Sequence, residues 1–449
     1  MPTAARPARA DIAALTPADR NRYADLLRVA AIVVVVLGHW LLAVVTVRDG
    51  RLEGANLLAL VPATQWLTWV FQVMPVFFFV GGYANAAAWT RARRPGDGYA
   101  DWVRARAARL LRPTVPVLAL WVPLTAALAV VGVPAGTLRL GTQLVVVPMW
   151  FLAVYIVVVA LVPVTWAAHS RFGLTALAAL GTAAVAADVA HLAGVPMVGW
   201  TNLLWVWAGV HQLGYLWFDG RLTRRACTAW WLGPVGFGLL AALVVWAGYP
   251  VSMVGVDGAV RSNNSPPSVA LLALGIGQVG LILVARDRVE RWLQRPAVWA
   301  RVVGAGAVTM TLYLWHLTAM VAVAAALYAT GLWPSTNAVD ARWWALRPVW
   351  FALLGLAMVA LVRVFGRFER AAPPRPAPAG RGRIAATVGG VAACGAGLGL
   401  LILGGLHTPG WPGGVPAAPL GLVLAGLALL GVLPADGLSG RRPTLPQPR

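Results

Sequence analysis

Twelve stretches of about twenty mostly apolar residues run through this chain, more than a water-soluble fold could bury. They lie near residues 28–47, 70–90, 113–132, 147–165, 172–193 and 199–218, then 228–248, 267–285, 302–329, 343–363, 384–406 and 416–433. Hydrocarbon offers no hydrogen bonds to the backbone, so spans of this length have to be helices. Composition agrees: 59% of the 449 residues are hydrophobic, 11% are charged and the mean hydropathy is +0.73. Soluble domains carry roughly 25% charged residues. The expected fold class is therefore an all-α polytopic membrane protein, with the lipid bilayer as its solvent.

A net charge of +21 is common in nucleic-acid-binding chains, but here the 36 basic residues are all arginine and are interspersed among apolar runs. No nucleic-acid partner is expected. With the N-terminus placed in the cytoplasm, the outer loops hold Arg48, Arg51, Arg139, Arg261, Arg342 and Arg347, leaving 30 of the 36 on the inner side. The positive-inside rule then places both termini in the cytoplasm. The all-arginine basic set points to a GC-rich bacterial genome, hence a multi-pass protein of the bacterial cytoplasmic membrane. Cys227 and Cys394 offer no metal-ligand spacing, and no metal is expected. The polar, Pro/Ala-rich first residues lack the apolar core of a cleavable signal, so the first span is expected to direct insertion.

The Pro- and Arg-rich segment 369–383 reads as an inner-side linker. It divides a cytoplasmic tail (1–22) and a ten-helix membrane domain (23–368) from an accessory two-helix hairpin (384–433) and a second tail (434–449). No soluble domain remains. Any chemistry belongs to the membrane or its faces.

Ionisable residues inside apolar spans are costly and mark functional sites by default. Arg28 and His39 are eleven residues apart, about three helical turns and ~16 Å of rise, on one face. This spacing is expected to put Arg28 at the inner interface, within reach of Asp25, and His39 near the midplane. A positive-inside anchor and a hydrogen-bonded packing histidine explain the pair equally well. His316 with Tyr313, His211 with Gln212, and Tyr83 with Asn85 are further intramembrane polar groups, each open to a cavity-lining or a packing role. His169 and His191, near span ends, read as interfacial. Arg106, Arg109 and Arg112 recur every three residues along one side of a short inner helix, where they could meet either lipid headgroups or a phosphorylated ligand.

The segment "RYADLLRVAAIVVVVLGHW" resembles the opening of the acyltransferase-3 family, whose first span carries Arg-x10-His. "MPVFFFVGGYANA", "RARAARLLRPTVP", "PMWFLAVY" (containing Trp150) and "TLYLWHLTAM" are similar to later family segments and follow in family order. The chain departs from the family at Leu26 and Val29, where Asp25-Leu26-Leu27-Arg28-Val29 stands for the usual Asp-Gly-Leu-Arg-Gly, and has Gly81-Gly82-Tyr83 where Ser-Gly-Phe is usual.

The resemblance implies an integral membrane enzyme that moves an acyl group, foremost acetyl, from cytoplasmic acyl-CoA to a hydroxyl of a carbohydrate, glycolipid or small-molecule acceptor. It implies His39 as the catalytic base. Arg28, Arg106, Arg109 and Arg112 would then meet the donor phosphates. Asp25, Tyr83, Asn85, Trp150, His211, Tyr313 and His316 would lie in supporting or acceptor-side positions. Acyl-CoA enters as co-substrate, with no bound cofactor. The alternative is a multispan transporter with a polar midplane site, although the two halves show no internal repeat.

Overall fold

The computed structural model describes residues 16–17, 19–48, 51–92, 98–224, 226–333, 339–369, 382–409 and 412–433. The tail residues 1–15 and 434–449, most of the linker, and Arg93–Arg94 lie outside the described residues.

The described residues form fifteen helices longer than about two turns. They are α1 (Arg22–Leu42), α2 (Met74–Ala92), α3 (Tyr99–Leu111), α4 (Thr114–Val130), α5 (Ala135–Val146), α6 (Met149–Phe172), α7 (Leu174–Leu192) and α8 (Asn202–Phe218). Then come α9 (Ala226–Trp246), α10 (Val269–Leu293), α11 (Pro296–Gly306), α12 (Thr309–Ala329), α13 (Ala341–Phe365), α14 (Gly382–Gly404) and α15 (Ala417–Leu429). Among the described residues nine helical segments are long and apolar enough to cross a membrane, or ten if α3 and α4, bent by 46°, count as one. The all-α polytopic expectation holds. Two of the twelve apolar runs are not among them: α15 has only 13 residues, and α8 carries Asn202, His211 and Gln212 in its 17.

The first span differs most from expectation. Helix α1 starts six residues earlier than its apolar run, because the Asn21 side chain caps it by accepting from the Ala24 N–H at 2.9 Å. It stops at Leu42. The following "AVVTV" is mostly β-branched and favours extended backbone; it forms β1 (Ala43–Arg48), antiparallel to β2 (Arg51–Asn56), with Ala43 opposite Asn56 and Arg48 opposite Arg51. His39 thus lies in the last turn of α1.

The chain divides into two compact units, residues 1–93 with 161–367 and residues 94–160 with 368–449. In the first, α2 and α8 cross at glycines. A Cβ on Gly82 would strike the His211 carbonyl, and one on Gly214 would strike the Phe79 carbonyl. Small residues are what allow helix backbones to approach this closely in lipid. Beside that crossing, Phe78 stacks on Trp207 with centroids 4.6 Å apart. Helices α9 and α10 meet in the same manner through Gly236 against Gly277.

In the second unit the terminal helix pair packs against α3 and α5 rather than standing apart. Arg104, buried on α3, donates from Nε to the Leu430 carbonyl at 3.0 Å, and Gln143 on α5 donates to the Leu403 carbonyl at 3.0 Å. Asp101 pairs with Arg383.

Candidate active site

Helix α1 brings Arg28 and His39 to one face, and α11–α12 run beside that face in parallel register. Near its start, the Arg28 guanidinium comes within 3.9 Å of where a Gly306 Cβ would lie. Eleven residues along α1 and ten along the partner strip, His39 Nδ1 meets His316 Nε2 at 2.9 Å. The two rings lie within 14° of parallel, with centroids 5.1 Å apart. Helix α12 continues thirteen residues past His316, about 20 Å. The pair therefore lies deep in the bundle even though α1 ends close by.

The hydrogen bonds fix how the two imidazoles are protonated when neutral. His316 is fully buried, and its Nδ1 is 2.6 Å from the Tyr313 carbonyl oxygen. A carbonyl only accepts, so this Nδ1 carries the proton and Nε2 is left as an acceptor. Among the described residues its partner is His39, which donates from Nδ1–H. The half-buried His39 consequently keeps its lone pair on Nε2. Two indoles hold the arrangement: Trp40 Nε1 donates to the His316 carbonyl at 3.0 Å, and Trp350 Nε1 donates to the Trp40 carbonyl at 3.3 Å. Tyr313, 3% exposed, packs its ring 6.2 Å from that of His316.

At the start of α1, Asp25 accepts from Arg20 Nε at 2.6 Å and stands 3.3 Å from Arg28. The Arg28 side chain is 42% exposed, so this pair contributes less than about 1 kcal/mol. Asp25 aims Arg28 more than it neutralises it. Close by, a polar cavity of about 380 Å³ is lined by Asp19, Arg20, Arg22, Tyr83, Arg286 and Glu290, among others. Tyr83 also packs on Trp217, with ring centroids 4.3 Å apart.

The other polar residues form separate clusters. Asn85 Nδ2 donates to His211 Nε2 at 3.0 Å in the α2–α8 contact, both side chains being buried. His211 meets Tyr215 edge to face at 5.0 Å, and the Tyr215 hydroxyl is 2.9 Å from that of Thr165. His169, expected at the interface, is instead 1% exposed. Its Nε2 lies 3.0 Å from Asp219, and Gln212 Nε2 donates to its Nδ1 at 3.2 Å. Those partners are 50 and 43 residues away in sequence, so no local spacing announces them. Asp188 takes three donors, Asn202 Nδ2 at 2.7 Å, the Tyr249 hydroxyl at 2.9 Å and the Val269 N–H at 2.8 Å. Burial first, then the neighbouring Asp188 carboxylate, push the Tyr249 hydroxyl above the ordinary phenol range.

The second unit holds the remaining sequence candidates. Arg106 lies with its guanidinium 5.2 Å from the Trp102 ring centroid, Arg109 is exposed, and Arg112 is the C-cap of α3. Trp150 starts α6, with its ring edge to face with Phe151 at 6.4 Å. No group of three or more His, Cys, Asp or Glu among the described residues could hold a metal ion.

Comparison with known proteins adds one finding: the family described as an acyltransferase domain matches residues 21–367. No curated protein and no solved structure matches.

Proposed function

The chain belongs to the acyltransferase-3 family, and from that premise we propose that it transfers an acyl group from cytoplasmic acyl-CoA to an acceptor hydroxyl, with His39 as general base. The observation that carries the proposal is the chain of hydrogen bonds from the Tyr313 carbonyl through His316 to His39, which leaves a lone pair on His39 Nε2. A neutral imidazole with one nitrogen anchored and the other open is what base catalysis of acyl transfer needs.

In the reaction, the acceptor oxygen attacks the thioester carbonyl carbon while His39 Nε2 takes the hydroxyl proton. The tetrahedral intermediate then collapses, the C–S bond breaks, and the imidazolium returns its proton to the departing thiolate. The products are an ester and free CoA. His316 supports the imidazolium formed in between by keeping its Nε2 as the acceptor for His39 Nδ1–H.

Arg28 is the donor-side residue in this reading. A phosphorylated donor calls for guanidinium forks, and Arg28 stands about 16 Å along α1 from His39, where one extended thioester could engage both. Arg106, Arg109 and Arg112 are assigned the same phosphate-binding chemistry. Acetyl is the acyl group proposed, a carbohydrate, glycolipid or small hydroxyl compound the acceptor, and the bacterial cytoplasmic membrane the location. The test is to supply acetyl-labelled acetyl-CoA to membranes with and without the chain. Label should reach an acceptor only where the chain is present; equal labelling in both refutes the proposal.

A further inference from the structure

Helix α13 carries Arg347 three residues before Trp350, whose indole bonds the residue next to His39. Asp340 caps the helix by accepting from the Trp343 N–H at 2.7 Å, and Arg347 follows one turn later. Its guanidinium lies 3.8 Å from the Trp343 ring centroid and 5.6 Å from that of Trp350. Arg347 Nε is buried and has no hydrogen-bond partner, and no carboxylate pairs with the side chain among the described residues. A second buried donor without a partner, Trp333 Nε1, borders the same ring: Trp333 stands edge to face with Trp350 at 6.0 Å.

Stacking on indoles offsets part of the cost of holding a guanidinium here, but it uses none of the N–H donors. Buried donors left unpaired cost about 1–3 kcal/mol each, more when charged. Two such donors border one tryptophan ring, that of Trp350. The link to the chemistry is short. Trp350 donates to the carbonyl of Trp40, the residue next to His39, and Arg347 is three residues up α13 from Trp350, ~4.5 Å of rise.

The geometry points to an anion-recognition subsite, made by Arg347 and Trp333, that binds a carboxylate or phosphate carried by the acyl acceptor. This rests on the acyl-transfer reading above for the word acceptor, though not for the anion. The contact path from Arg347 through Trp350 to Trp40, the neighbour of His39, favours a compact acidic sugar, a uronate or a sugar phosphate, whose charge and reacting hydroxyl belong to one residue or to neighbours.

The full-length protein in detergent tests this by thermal unfolding at fixed ionic strength, with millimolar glucuronate, glucose 6-phosphate or glucose. A ligand that binds only the folded state raises the melting temperature. Wild type should be stabilised by glucuronate, glucose 6-phosphate or both, and not by glucose; which acid works separates carboxylate from phosphate. Arg347→Gln should weaken acid binding about tenfold or more, while Arg347→Lys, which keeps the charge, retains part of it. In membranes, Arg347→Gln should raise the acceptor KM and leave the acetyl-CoA KM unchanged. Equal stabilisation of wild type and Arg347→Gln, or no response of wild type to either acid, overturns the subsite. A response only to phosphatidylglycerol-containing nanodiscs overturns it in favour of a lipid anchor. If wild type binds the acids through Arg347 but transfers no acetyl group, the acyl-transfer reading fails and the anion site stands.

Discussion

Replacing His316 with Phe removes one hydrogen-bond acceptor and keeps a planar ring of similar size in a fully buried position. His39 Nδ1–H then loses its partner at 2.9 Å. An unmade hydrogen bond in such a place costs about 1–3 kcal/mol, and the imidazole can avoid that cost only by rotating or by moving its proton to Nε2. Either escape removes the lone pair from the reacting position. The corresponding loss in kcat is about 5- to 150-fold, given 1.4 kcal/mol per factor of ten. That range lies at or below the lower end of the 10²–10⁴ typical of general base catalysis as a whole. The assay is steady-state acetyl transfer in membranes at varied acetyl-CoA. The acetyl-CoA KM should hold while kcat falls. His316→Gln supplies a side-chain oxygen able to accept from His39 and should recover most of the rate, whereas His316→Lys, which has donors only, should not. A His316→Phe protein with wild-type kcat refutes the protonation assignment.

Three further outcomes follow from the same geometry. Arg28→Ala should raise the acetyl-CoA KM with a smaller change in kcat, and a change confined to the acceptor KM would contradict a donor-side role. Gly214→Val drives a side chain into the Phe79 carbonyl and the Tyr83 N–H, which are backbone and cannot yield; a loss of about 3 kcal/mol or more is expected, seen as aggregation in size-exclusion chromatography, and a monodisperse variant of wild-type melting temperature would refute it. Tyr249→Phe removes one of three donors to Asp188 and should cost about 1–2 kcal/mol in unfolding measurements, with acetyl transfer otherwise intact; no change in melting temperature would contradict the role assigned to that bond.

What could be read from the sequence was whatever local periodicity encodes. The shared face of Arg28 and His39 follows from eleven residues at 3.6 per turn, and the structure keeps both against α11–α12. Helix ends were less legible. The apolar run through Val47 hides a change from helix to strand at Ala43, because valines suit an apolar span and a strand alike. Long-range pairings were not legible at all. His39 and His316 are separated by 277 residues and His169 and Asp219 by 50, and nothing in either neighbourhood specifies the partner. Arg347 illustrates the same limit: a loop arginine by charge count, it is set apart only by the tryptophans that surround it and the bonds it lacks.

The central claim concerns one nitrogen, and acetyl transfer by His39→Ala tests it most directly. Wild-type and variant membranes, matched for inserted protein, are given labelled acetyl-CoA, and acceptor label is followed over time. The account expects transfer to fall at least 10²-fold, with the protein still inserted and destabilised by no more than the loss of one buried hydrogen bond, about 1–3 kcal/mol. Transfer at the wild-type rate by His39→Ala would contradict it.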